Sequence, residues 1–296
     1  MNESRRGLAH GVAAYSLWGV APLYWKLLAS AGAAEIIAHR LAWGVVACAV
    51  LVWLTGSIGA TRSALTDRRS VGMLALSGVL LTVNWSTFIA AVLTGHILDA
   101  SLGYFISPLF SVALGTLVLG ERPRPLQWIA IGLAATGVVV LTWRVGRLPW
   151  IGLVLATSFG VYGLVRKVVR VDSLVGSTIE TALIAPIAIC YLAVLAARGG
   201  GQLGHASAGA QLLVLSTGVV TVVPLLLFSS AARRLPLSSL GFLQFLTPTV
   251  QLVLAIAVYD EPFARGQMLG FGFIWLGLAV FSVDLVRRAR AADPAQ

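Results

Sequence analysis

Long apolar runs recur along almost the whole chain, and they restrict its fold more than any other feature. They lie at about 7–28, 35–55, 71–93, 99–119, 126–143, 149–167, 174–197, 210–231, 237–259 and 266–286. A membrane-crossing helix needs about 20 mostly apolar residues, so the pattern predicts an all-α membrane protein with ten transmembrane helices. Composition agrees: of 296 residues 58% are hydrophobic and 11% charged, against roughly 45–50% and about 25% in a soluble domain. A water-soluble fold and a disordered chain are both excluded, because so little charge can solvate neither. Most connections are short; 56–70 and the Gly-rich 198–209 are longer, and the tail after Val286 reads as frayed. The first run, from Leu8 to Leu28, exceeds the length of a signal-peptide core and no small-x-small site follows it, so it reads as an uncleaved span.

The formal net charge is +10. In a soluble protein that would suggest nucleic acid, but here it works as a topology code. With the N-terminus inside, fifteen Lys and Arg fall on inner segments (Arg5, Arg6, Arg62, Arg68, Arg69, Arg122, Arg124, Arg166, Lys167, Arg170, Arg233, Arg234, Arg287, Arg288, Arg290). Four (Arg144, Arg147, Arg198, Arg265) fall outside. The positive-inside rule then places both termini, including the tail 287–296, in the cytoplasm, and no nucleic-acid partner is expected. Only Lys26 and Lys167 are lysines, an arginine bias typical of a GC-rich bacterial genome, so the expected location is a bacterial inner membrane. Cys48 and Cys190 sit in apolar runs and are expected to pack without a disulfide. No P-loop, CxxC, HExxH or G-x-S-x-G string occurs, so no catalytic residue, metal or cofactor is expected. Any transport would run on a gradient or downhill.

The chain repeats itself. At an offset of 140, Phe105 matches Phe245, Pro108 Pro248, Leu114 Leu254, Val118 Val258, Glu121 Glu261, Gln127 Gln267, Gly132 Gly272, Gly137 Gly277 and Val140 Val280. Trp18-Gly19 matches Phe159-Gly160, and Lys26 matches Lys167, at 141. Glu35 and Glu180 each open the second span of a half. The halves, 7–143 and 149–286, hold five predicted spans each. An odd number makes them enter the membrane in opposite directions, an inverted repeat of the kind many secondary transporters use for alternating access at a midplane site.

Several strings carry a resemblance: Ala14-Tyr15-Ser16-Leu17-Trp18-Gly19-Val20-Ala21-Pro22-Leu23-Tyr24-Trp25-Lys26, Glu35-Ile36-Ile37-Ala38-His39-Arg40 followed by Trp43, Asn84-Trp85, Gly95-His96, Ser101 to Pro108, and Leu240 to Phe245 with Pro248-Thr249. From about Gly7 to Val286 the chain resembles the RarD-like group of the EamA family, in the drug/metabolite transporter superfamily. The resemblance implies ten spans in two repeats, a small-molecule substrate, and a cavity lined by the first four spans of each half. The second half departs from the first, with Phe159, Gly163 and Arg166 in place of Trp18, Pro22 and Trp25, so the first half is expected to carry more of the specificity.

Candidate residues follow from cost and chemistry. Charges inside a span are expensive and are functional candidates by default; Lys26, Glu35, Arg40 and Glu180 qualify. Glu35 and His39 are four apart on one helix face, and an imidazole can titrate near neutrality. Glu35, His39 and Glu180 are therefore candidates for proton coupling or gating, with any partner of Glu180 supplied by another helix. The ordinary alternatives are snorkelling for Lys26, a favourable helix N-terminus for Glu35 and structural pairing for Glu180. Tyr15, Trp18, Tyr24, Trp25, Trp85, Tyr104 and Tyr162 could wall a pathway for an amphipathic solute or simply pack. Asn84, Gln244 and Gln251 are amides that would bond across helices or to a substrate. Pro22, Pro108 and Pro248 could act as hinges. Gly132, Gly137, Gly272 and Gly277 offer small packing faces, Asp99 a helix cap, and Glu121 and Glu261 loop-side packing or gating. The expected activity is export of small amphipathic metabolites or drugs. A lipid flippase, a permissive channel and an intramembrane lipid-modifying enzyme stay open.

Overall fold

The computed structural model describes residues 3–28, 30–93, 97–143, 150–259 and 265–291. His96, Gly95, Glu261, Arg144 and Arg147 lie outside them, and the side chains of Asp99 and Gln267 are likewise not described. Among the described residues the protein is all helical. The order is α1 (Glu3–Leu27), α2 (Ala33–Leu54), α3 (Ile58–Thr66), α4 (Arg68–Leu93), α5 (Ile97–Leu117), α6 (Pro125–Trp143), α7 (Trp150–Val168), α8 (Ser173–Ala197), α9 (Ala208–Arg234), α10 (Leu237–Gln244), α11 (Leu246–Tyr259) and α12 (Arg265–Ala291). Helices are the expected answer, since an apolar segment in lipid must satisfy its backbone internally. Six of them, α2, α4, α6, α7, α8 and α9, are long and apolar enough to cross a membrane. Shorter apolar helical stretches occupy Gly103–Leu117 and Met268–Asp284.

Each apolar run falls on helix, with three corrections. The run 237–259 is not one helix: α10 stops at Gln244 and α11 starts at Leu246. Pro248 explains the break, because it has no N–H to give Gln244, four residues earlier, and its ring crowds that carbonyl. Helix α5, by contrast, runs unbroken through Pro108, as α1 does through Pro22. The connection 56–70 contains the helix α3, none of whose residues is buried. The expected frayed tail instead continues α12 to Ala291. Helix ends are closed by local chemistry. Asp172 caps α8 by accepting from the Leu174 N–H (2.9 Å). Gly56 (φ 66°) ends α2 in a left-handed conformation, with the Ser57 N–H bonded to the Val52 carbonyl.

The chain forms two compact units, and each draws on both sequence halves. One comprises 1–83 and 165–235, the other 84–164 and 236–296. In the first, α1 and α2 pack on α9, and α2 also packs on α8. Gly218 of α9 lies against the Trp43 backbone of α2, while Gly78 of α4 lies against Ile184 and the Glu180 carbonyl of α8. Gly78 and Gly218 are 140 residues apart, Trp43 and Ile184 are 141 apart, and so one contact repeats the other. In the second unit, α6 packs on α12 and α5 on α10. A Cβ on Gly137 would meet the Gly270 carbonyl at 2.6 Å, and one on Gly277 the Ala130 carbonyl at 2.9 Å. These two contacts are also exchanged by the 140-residue offset, which is the signature of a contact across a twofold axis. Gly132 and Gly272 face open space, so of the four expected packing glycines only Gly137 and Gly277 meet a neighbouring helix. A phenylalanine-rich core fills this unit, with Phe242 stacked on Phe281 at 4.3 Å.

Candidate functional site

A polar grouping lies in the first unit, along α2. Near its start the buried Glu35 accepts from the Gln202 backbone N–H (2.6 Å) and sits 3.5 Å from His39 Nε2. The Gln202 amide also donates to the Ser30 carbonyl (3.3 Å). Glu35 thus ties the Gly-rich 198–207 connection, with its positive-φ residues Gly199, Gly201 and Gly204, down onto α2. His39 is 3% exposed, and its Nδ1 has no hydrogen-bond partner among the described residues. The same holds for Trp43 Nε1, four residues further on the same face. A buried polar atom without a protein partner is uncommon and calls for an explanation.

Beside this face, α1, α2 and α9 build an aromatic–guanidinium cluster. The Arg40 guanidinium lies 4.6 Å over the Trp25 ring, and its Nε donates to Thr221 of α9 (3.0 Å). Tyr24 meets Trp25 edge-on at 5.0 Å, and its hydroxyl bonds the Leu213 carbonyl (2.5 Å) and Ser216 (2.7 Å). Further along α1, Tyr15, Trp18 and Phe228 of α9 contact one another, with ring centroids 5.6–6.1 Å apart. Tyr15 is buried and Trp18, Tyr24, Trp25 and Arg40 are partly exposed. The rings of Tyr24 and Trp25 and the Arg40 guanidinium form a polarised patch, apolar in area yet carrying a hydroxyl and a cation. Lys26 is exposed at the end of α1.

Glu180 has the inter-helical partner its position calls for. It lies 3.6 Å from Arg166 of α7 and accepts from Ser77 of α4 (2.5 Å). Arg166 is 1% exposed and donates to Ser229 (3.0 Å), the Ser173 carbonyl (3.1 Å) and Ser177 (3.4 Å). Arg166 is therefore a buried, paired cation at the end of α7. An arginine in the last turn of an apolar run reads as a loop charge, but here it turns inward, its Nε and Nη2 bonded to three serine oxygens and its Nη1 facing Glu180 without a hydrogen bond among the described residues. By the 141-residue offset that relates Trp43 to Ile184, Glu180 corresponds in the repeat to His39. Sequence reasoning missed Arg166, Ser77, Ser229 and Thr221. For Arg166 the signal was its alignment with Trp25.

The remaining candidates lie in the second unit. The Asn84 amide donates to the Leu155 carbonyl and Ser158 of α7, both at 2.9 Å. Tyr104 packs edge-on with Phe88 at 5.7 Å. Tyr162 is fully buried against Phe159, and Trp85 is partly exposed. The Gln244 amide donates to Ser107 (2.7 Å). Glu121 accepts from the Leu237 and Ser238 N–H groups (2.6 and 2.9 Å) and from the Ser238 hydroxyl (2.8 Å). It caps α10, whose preceding Pro236 makes no side-chain cap.

Comparison with known proteins follows the same halves. The model of the EamA-like transporter family matches residues 5–143 and again 148–283. An uncharacterized transporter of Pseudomonas aeruginosa is 45% identical over 97% of this chain and 96% of its own length. Protein RarD of Escherichia coli is 42% identical over 97% of both chains. A solved crystal structure with 19% identity covers 94% of this chain and 98% of its own at a TM-score of 0.71, a likeness of fold.

Proposed function

Because the chain belongs to the EamA-like transporter family, we propose that it is a secondary transporter exporting small amphipathic metabolites or drugs across a bacterial inner membrane. In this reading ten spans form two inverted five-helix repeats, 7–143 and 149–286, with both termini cytoplasmic. The exchanged Gly137/Gly277 and Gly78/Gly218 contacts support that arrangement. The solute crosses by alternating access through a cavity lined by both sequence halves.

One observation carries the substrate assignment. Arg40 is stacked on Trp25 beside Tyr24 and is held by Thr221, where two helices of the first half meet one of the second. Flat apolar rings and a fixed cation favour a solute with an aromatic or conjugated body and a polar end. Trp18 extends the pathway in the first unit; within the second, Trp85, Tyr104 and Asn84 serve as further solute contacts, backed by the buried Tyr162 and Gln244. Lys26 sits at its mouth, and Pro248 serves as hinge at the α10–α11 break, with Pro22 and Pro108 as bends within intact helices. Glu35, His39 and Glu180 are the groups through which a proton gradient would act, His39 foremost because its Nδ1 is unbonded among the described residues. A lipid-modifying enzyme fits less well. Its one sequence-adjacent acid–imidazole pair is occupied, since Glu35 holds the Gln202 N–H.

The reading is tested in two steps. Metabolite profiling of media from deletion and overexpression strains selects the solute. Proteoliposomes loaded with it are then compared with and without a pH gradient. Protein-dependent, saturable flux supports the transporter, and acceleration by the gradient supports coupling. Flux indifferent to both the protein and the gradient sinks the proposal.

A further inference from the structure

Helix α3 is too short and too polar to stand out in the sequence, and transport through α1, α2 and α9 makes no use of it. None of its residues is buried. One side of it is fixed, where Ala64 packs on a cluster of Leu74, Val169, Val171, Val175 and Ile179 at the start of α8. Ile58 and Leu65 are seven residues apart and so share a face, on which Arg62 also lies. Both apolar residues point away from the core, 44% and 52% exposed, and Trp53 at the end of α2 is 69% exposed. Arg62, Arg68 and Arg69 are exposed within eight residues. Asp67, the acid among them, is occupied by the Arg69 backbone N–H (3.1 Å) and the Ser70 hydroxyl (2.6 Å). Among the described residues no acidic side chain forms an ion pair with Arg62 or Arg68, and Asp67, two residues away, acts on Arg69 through its charge. The corresponding connection of the second half, 198–207, has no helix and a single cation, Arg198. The arginines are therefore not a requirement of joining two such spans.

We propose that α3 and the start of α4 form an interfacial docking surface for anionic phospholipid. Trp53, Ile58 and Leu65 enter the acyl boundary, while Arg62, Arg68 and Arg69 take the headgroup phosphates. The element would lie in the membrane plane, with Arg62, on the face of Ile58 and Leu65, reaching the phosphates by its long side chain. An indole at the end of a span is a normal interfacial anchor. The charge is complementary to the anionic inner leaflet, the side to which the positive-inside bias assigns this segment. The proposal rests on the membrane reading of the chain but not on its transport activity. Because α3 leans on the start of α8 beside Arg166 and Glu180, lipid held there would brace the inner end of the first unit.

The test is thermal unfolding of the full chain in detergent, titrated with dioleoylphosphatidylglycerol or with dioleoylphosphatidylcholine. Only the anionic lipid is expected to raise Tm saturably, with the rise weakened by salt. Removing three arginines from a lipid surface weakens attraction about a hundredfold in total. The half-saturating phosphatidylglycerol concentration should rise by about that factor in the triple variant Arg62→Gln, Arg68→Gln, Arg69→Gln. The triple Arg→Lys variant and Arg198→Gln should titrate like the parent protein. Equal Tm rises with both lipids, or unchanged titration of the triple Gln variant, would overturn the proposal. Its Tm without added lipid reports any folding defect separately, and the salt dependence of the parent's titration keeps the charge test intact if the Gln variant fails to fold. No transport assay enters, so failure here leaves the transporter reading untouched.

Discussion

Glu180 and Arg166 are both withdrawn from solvent, which makes each dependent on the other. Glu180→Gln leaves the Arg166 charge buried without its counter-ion, at a cost of about 3–5 kcal/mol. Replacing both, as Arg166→Met with Glu180→Leu, should cost clearly less, because no buried charge is then left over. Chemical unfolding in mixed micelles measures both, and a double variant less stable than Glu180→Gln would refute the pairing. Arg40 is a different case, partly exposed and stacked on an aromatic ring. Arg40→Gln should lower solute affinity by about tenfold through loss of the cation–π contact, read as a shift in half-saturation of flux, with less effect on unfolding than Glu180→Gln. Arg40, Glu35 and Glu180 were legible in the sequence because a charge in an apolar run is conspicuous. Arg166 was not, because a cation near a helix end has an innocent explanation, and only its bonds to α8 and α9 revoke it. Thr221 and Ser77 carry no signal at all in one sequence; they matter through what they face.

At the scale of elements, helix positions followed from length and hydrophobicity alone. The misses have local causes. Helix α3 is too short and too polar to stand out, and the α10–α11 break needs the geometry of Pro248 against the Gln244 carbonyl. The repeated glycines give a paired prediction. Gly137→Val and Gly277→Val push a side chain into the backbone of the facing helix and should cost about 1–3 kcal/mol or more. Gly132→Ala and Gly272→Ala meet nothing within 4 Å and should stabilise by up to about 1 kcal/mol. Thermal unfolding of the four variants decides it; equal effects would contradict the α6–α12 contact. The capping of α8 has a pH signature. Burial alone would raise the Asp172 carboxyl, but the Leu174 and Ser173 N–H groups and Arg233 outweigh it and hold it below the ordinary 3.8. A depressed carboxylate stabilises the fold above its unfolded pKa and loses that contribution as pH falls through the folded value. Asp172→Asn should therefore lower Tm at neutral pH and flatten the acid limb of the Tm–pH curve. An unchanged acid limb would show that the cap contributes nothing.

The molecule as a whole is built by exchange between its halves: each compact unit contains helices from both, and the contacts recur at offsets of 140 and 141. The repeat was readable from Pro108/Pro248, Glu121/Glu261 and the paired glycines. The exchange was not, because a sequence match says which residues are equivalent and nothing about which of them touch. The construction suits a carrier, since surfaces made by both halves change when the halves tilt. Counterflow tests that most directly. Proteoliposomes preloaded with the profiled solute are diluted into a trace of labelled solute, with no ion gradient. The account predicts transient, saturable accumulation of label, weakened in the Arg40→Gln variant and retained in Gly132→Ala. Label that only equilibrates, at a rate linear in concentration and unaffected by preloading, would mark a channel and contradict it.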